Sequence, residues 1–268
     1  MKKTTNRPVL IIFAFLIGFL LLNQFQSLLL STLAIEENVS TDSYLAIRMG
    51  FKILYALVSF WLIKKYKLLN LAGLGNQKFK NWFLLIFPLY LLIITSPEPG
   101  EIDFAAIPLY KFGILLFHVI SIGFAEEYMM RGFMQSFLLK HFGATKRGIY
   151  FSVIGTGILF GVLHLVKFDK GLYGEISQIL YATFIGTMFG AILLRTNKIW
   201  PLVVLHALID FINNFDKLQR EEVNLTVNYS TTSLQDAIVI SLVVLPYFIY
   251  GLLLLRKVKV EDIQEKII

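Results

Sequence analysis

The chain has 268 residues, 56% of them hydrophobic and 15% aromatic, with a mean hydropathy of +0.68. That is far too apolar for a soluble domain and reads as an all-α, polytopic membrane protein with the lipid bilayer as its solvent. Its net charge of +7 comes from Lys and Arg set between long apolar runs, the positive-inside pattern, so nucleic acid is not an expected partner. Cysteine is absent, which excludes disulfides, thiolate metal sites and a cysteine nucleophile.

Eight spans are expected. The first, about residues 9–34, follows Lys2, Lys3 and Arg7 and is read as an uncleaved anchor, since no small-x-small cleavage site follows it. A short acidic loop with Glu36, Glu37 and Asp42 leads to the second, about 44–63, whose Arg48 and Lys52 lie near its outer end and are expected to snorkel. A basic inner loop holds Lys64, Lys65, Lys67, Lys78 and Lys80 around AGLGN. The third span, about 81–95, is short for a bilayer and is followed by the acidic outer segment PEPGEID. The fourth runs from about 108 to Lys140, with Gly143 as C-cap. The fifth and sixth span about 148–166 and 176–194, and Gly186 and Gly190 make a GxxxG pair suited to close helix packing. Pro201 fits the first turn of the seventh, about 200–215. A polar loop from Asp216 to Thr232 precedes the eighth, about 235–255.

Alternation of sides places seventeen of the twenty-five Lys and Arg residues in the N-tail, inner loops and C-tail, and twelve of the eighteen acids outside. Both termini are therefore expected in the cytoplasm of a multi-pass cell-membrane protein. No repeat, linker or second soluble domain is visible, so residues 1–268 are read as one integral membrane domain with its motif-bearing core at about 108–215.

The chemistry centres on residues 112–139, FGILLFHVISIGFAEEYMMRGFMQSFLL. An ionisable group at the bilayer centre costs about 2.5 to 3.5 kcal/mol, so Glu126, Glu127 and Arg131 must be paired or hydrated. Glu127 and Arg131 are four residues apart and share a helical face, so Arg131 can clamp Glu127 while Glu126, about 100° away, faces a cavity as a general base. The alternative is an inert buried ion network.

Two of the four histidines lie inside spans. His164 follows Phe160 by one turn, and His206 precedes Asp210 by one turn with Asn213 along the same face. Counted from the inner helix ends at 1.5 Å per residue, Glu126 lies about 21 Å deep, His164 about 24 Å and His206 only about 10 Å. The last value implies either a seventh helix that starts deeper than Arg195 and Lys198 suggest or a misplaced boundary. His118, eight residues before Glu126 on roughly the same face, is a candidate supporting residue.

EEYMMR at 126–131, FGVLH at 160–164 and HALID at 206–210 resemble, in order and spacing, the EExxxR, FxxxH and HxxxN/D motifs of the CAAX protease and bacteriocin-processing (CPBP, Abi) family of intramembrane endopeptidases. The resemblance implies a glutamate-dependent peptidase with no obligatory metal or other cofactor. In it Glu126 takes a proton from water, Glu127 and Arg131 shape its surroundings, and His164 helps hold the water. His206 with residue 210 stabilises the oxyanion. Asp210 stands where an asparagine amide could donate, so it must be protonated, orient His206, or leave the donor role to Asn213. A zinc-dependent variant using Glu126, Glu127, His164, His206 and Asp210 remains an alternative, although an arginine one turn away disfavours a divalent cation. The implied partner is a peptide or membrane-associated protein substrate. A non-catalytic membrane regulator or scaffold, for bacteriocin immunity or beside a sensor, is the alternative of a different class. A transporter with a buried proton relay would show internal repeats, and none is visible. The Lys- and Ile-rich composition hints at a low-GC bacterium.

Overall fold

The computed structural model describes residues 7–34, 38–97, 100–166, 169–225 and 232–267. Lys2, Lys3, Glu36, Glu37, Glu98 and positions 226–231 of the polar loop lie outside the described residues. Among them are ten α-helices: α1 (Arg7–Leu33), α2 (Thr41–Lys65), α3 (Tyr90–Ile94), α4 (Leu109–Glu127), α5 (Ser136–Phe142), α6 (Lys146–Leu163), α7 (Gly171–Thr196), α8 (Trp200–Asn213), α9 (Leu234–Arg256) and α10 (Val260–Ile267). The run α4 to α5 is continuous over Leu109–Phe142, so six helices are long and apolar enough to cross a membrane, and the segments Trp82–Ile94 and Trp200–Asn213 are shorter.

Loop hydrogen bonds sort the helix ends onto two faces. On one, strand β1 (Asn38–Ser40) pairs antiparallel with β2 (Glu222–Asn224), Gln219 donates to the Glu101 carbonyl, and the Thr232 amide donates to the Lys170 carbonyl. On the other, Asn81 donates to Arg195 O (2.8 Å), Lys140 to Tyr66 O (2.7 Å) and Lys146 to Leu255 O (2.9 Å). Each loop falls on the face that eight alternating spans require.

The two short segments run between these faces in different ways. Residues 82–89 form two 3-10 turns around Pro88 before α3, and a 3-10 helix rises about 2.0 Å per residue against 1.5 Å for α, so thirteen residues cover about 23 Å. Ahead of α8, the basic loop 66–80 tucks under the bundle, with Leu68, Leu71 and Ala72 buried. Gly73 sits at φ +68, and a Cβ there would lie 2.7 Å from Leu193 Cδ1 and 2.8 Å from the Ile199 nitrogen, so only glycine fits this floor. The Ile199 amide donates to Gly73 O and Lys198 Nζ to Gly75 O (2.8 Å). α8 therefore starts above a buried layer, the deeper start that the depth count for His206 left open.

α7 is the centre of the bundle, packed between α6 and α9 with sixteen buried residues. Gly186 and Gly190 of the GxxxG pair face Gly157, Phe160, Val153 and Gln135, an ordinary close packing of α7 on α6 and on the turn after α4.

Candidate active site

Glu126 and Glu127 close α4, and the next eight residues, Tyr128–Gln135, widen into a π-helix where a regular α-helix was expected. Two features accompany the wide turn. Ser136 Oγ donates to Arg131 O at 2.9 Å, five residues back, and Gly132 leaves room for Ile63 of α2, whose Cδ1 would stand 2.7 Å from a Cβ. Such turns insert a residue into one face of a helix and recur at functional sites.

The Arg131 clamp forms. Nη1 donates to Glu127 Oε1 at 2.9 Å, with Glu127 fully buried and Arg131 2% exposed. The guanidinium stacks on the rings of Phe160 (4.8 Å) and Phe189 (5.5 Å), so the FxxxH phenylalanine serves as the apolar wall behind the arginine. His206 Nδ1 donates to the same Glu127 oxygen at 2.8 Å, which commits that nitrogen and leaves Nε2 facing the cavity. Gly123, one turn before Glu127, allows this approach: a Cβ would stand 2.7 Å from the Val203 carbonyl of α8.

Glu126 is 18% exposed in its side chain, and Oε2 lies 3.6 Å from His206 Nε2. It is not free, as the sequence suggested. Lys52 of α2 reaches inward rather than snorkelling to the surface, and its Nζ donates to Glu126 Oε1 at 2.7 Å. His206 Nε2 is 3.8 Å from Asp210 Oδ2, beyond hydrogen-bond range but inside that of charge attraction. His164 ends α6, where its Nδ1 donates to Phe160 O at 2.8 Å, leaving Nε2 uncommitted.

These groups share one cavity of about 780 Å³, lined by Glu126, Arg131, Phe160, His164, His206, Asp210 and Asn213. Lys52, Arg48, Lys170 and Lys217 also line it, and sequence reasoning gave none of them a place in the site. His118 does not. It is buried against Leu45 of α2, and its Nδ1 has no partner among the described residues. Among the described residues no three His, Asp or Glu side chains are disposed to hold a metal ion.

Residues 108–212 match the family model of the type II CAAX prenyl endopeptidase, Rce1-like. This is a CAAX protease family within the CPBP group, which covers the three motifs and all of the acidic and imidazole side chains described above. No curated protein and no solved structure matches the chain.

Proposed function

With an Rce1-like protease domain over residues 108–212 as the premise, we propose that the chain is an intramembrane endopeptidase that hydrolyses a peptide bond in a peptide or membrane-associated protein, with Glu126 as base. The observation that carries the reading is the facing pair of Glu126 Oε2 and His206 Nε2, 3.6 Å apart on a cavity. That spacing lets one water about 2.8 Å from both atoms bridge them from the cavity side.

Each partner leaves one reactive atom. Lys52 occupies Glu126 Oε1, so the proton of the attacking water goes to Oε2. Glu127 occupies His206 Nδ1, so a protonated His206 donates from Nε2 to the oxyanion that forms when the hydroxide adds to the carbonyl carbon. Asp210, 3.8 Å from Nε2, balances the imidazolium charge rather than meeting the oxyanion, and Asn213 supplies an amide further along the same wall. Collapse of the tetrahedral intermediate breaks the C–N bond, and Glu126 returns its proton to the departing amine. His164 lines the same cavity with its Nε2 uncommitted, and that nitrogen is available to accept a hydrogen bond from the water. No metal is needed in this scheme, because Lys52 and Arg131 supply the positive charge beside the two glutamates.

Purified protein in detergent should cleave a reporter peptide, and Glu126→Gln should lower the rate by about 10²- to 10⁴-fold without changing the melting temperature. A Glu126→Gln protein as active as wild type overturns the assignment. A second reading, a non-catalytic membrane regulator, draws on the Lys52–Glu126 ion pair as a structural lock. In a deletion strain, such a regulator would be replaced fully by Glu126→Gln, whereas a peptidase would not.

A further inference from the structure

We infer that the candidate site is entered from the non-cytoplasmic side of the membrane, so that its substrate is a peptide segment presented outside the cytoplasm. The inference deepens the peptidase reading and rests on it for the word substrate. The direction of access stands on the cavity's geometry and the charge of the loops, and does not depend on hydrolysis.

The cavity has a closed end and an open end. Arg131 and Phe189 form its floor, Glu126 and His206 its middle, and Thr95, Lys170, Asn214, Lys217 and Thr232 its rim. The rim residues lie in or beside the loops tied together on the face of the β1–β2 pair. No lining residue comes from the opposite loops, 66–80, 143–145, 197–199 or 257–259. Beneath the floor, Met130, Phe133, Met134, Leu193 and Leu202 are buried to 1% exposure or less and seal that direction.

Charge decides which face is which. The sealed face gathers the inner-loop cations, Lys64, Lys65, Lys67, Lys78 and Lys80 before the third segment and Arg256, Lys257 and Lys259 after α9. The open face carries Asp42, Glu101, Asp103, Asp169, Asp216, Glu221 and Glu222 in or beside its loops, against Lys111, Lys170, Lys217 and Arg220. Positively charged loops stay in the cytoplasm, so the sealed face is cytoplasmic and the rim faces out. Arg48 and Lys52 do not offset this bias, because they point into the cavity from within α2 rather than from a loop. A substrate therefore approaches from outside, and both cleavage products are released there.

The absence of cysteine makes the test direct. Single variants Thr232→Cys at the rim and Glu222→Cys beside it, with Lys80→Cys and Glu261→Cys on the sealed face, are exposed in intact spheroplasts to a membrane-impermeant maleimide. The first two should label at once and the last two only after permeabilisation; the reverse pattern overturns the inference. In parallel, spheroplasts expressing the wild type should cleave an impermeant fluorogenic peptide added to the medium, and Glu126→Gln spheroplasts should not. Rim labelling from outside with no hydrolysis by purified protein removes the peptidase reading and leaves the access side standing. Inverted labelling with hydrolysis by purified protein does the opposite.

Discussion

Helices α1 and α7 have similar hydropathy, 1.9 and 1.6 over their best windows, yet 6% of the first window is buried in protein and 67% of the second. Lipid tails are as apolar as leucine, so hydropathy places a helix in the membrane without saying whether lipid or protein surrounds it. Small and hydroxylated side chains carry that information. α7 puts Ser177, Thr183, Gly186, Thr187 and Gly190 against its neighbours, whereas α1 presents Leu10, Phe13, Leu21 and Phe25 to the bilayer. The protein thus has an interior, built on α7 and carrying the charges, and a greasy exterior that tolerates change. Substitutions that respect or violate this division sharpen it.

The largest effect is expected at the interior ion pair. Arg131→Ala leaves the fully buried Glu127 carboxylate without its guanidinium, and breaking such a pair costs about 3 to 5 kcal/mol. Thermal melts in detergent should show this loss, together with loss of hydrolysis, because Glu127 also orients His206. Double replacement of Glu127 and Arg131 by Gln and Met should recover much of the stability and none of the activity.

Lys52 tests the border between the two regions, since α2 supplies it from outside the Rce1-like segment. If it fixes which Glu126 oxygen meets the water, Lys52→Met should lower kcat by up to about 10²-fold, the penalty of an ångström of misplacement, with KM nearly unchanged. Lys52→Arg should restore most of kcat. Equal losses in stability and in both kinetic constants would make the ion pair merely structural.

Lys52 also marks where the sequence stopped being legible. The Glu127–Arg131 clamp could be read because four residues on a helix is a fixed geometry. The grouping of Glu126, His164 and His206 could be read because three spaced motifs resembled a family. A contact between residues 52 and 126 obeys no local period, and a lysine near the outer end of an apolar helix reads equally well as snorkelling. The deeper start of α8 is hidden from the sequence for a related reason. The loop 66–80 reads only as a basic inner loop, but its Leu68, Leu71 and Ala72 form a buried floor under α8, and loop burial leaves no periodic trace. The π-turn at Tyr128–Gln135 and the three-residue strands β1 and β2 are set by tertiary contacts and have no propensity signal long enough to register.

A smaller effect is expected where α7 meets α6 and the π-turn. At Gly190 an added Cβ would lie 2.2 Å from Gln135 Oε1 and 2.9 Å from Val153 Cγ1, both side chains held inside the core. Gly190→Leu should cost about 1 to 3 kcal/mol by overpacking. Because Gln135 also donates to the Gly190 carbonyl at 3.1 Å, part of that cost should appear as displacement of the helix that carries Arg131. Gly190→Ala should fall between wild type and Gly190→Leu in melting temperature.

The smallest effect belongs to α1. Leu21 is 66% exposed within the protein and meets lipid in the membrane. Truncating it exchanges contacts with acyl chains for other contacts with acyl chains, so Leu21→Ala should change stability by no more than about 0.5 kcal/mol and leave hydrolysis intact. Phe15, six residues earlier, provides the internal control, because its ring packs edge-on against Phe133 at 4.9 Å and thereby touches the π-turn. Phe15→Ala should destabilise measurably more than Leu21→Ala. Equal effects would mean that α1 is held by the bilayer alone and that the interior of the protein begins at α2.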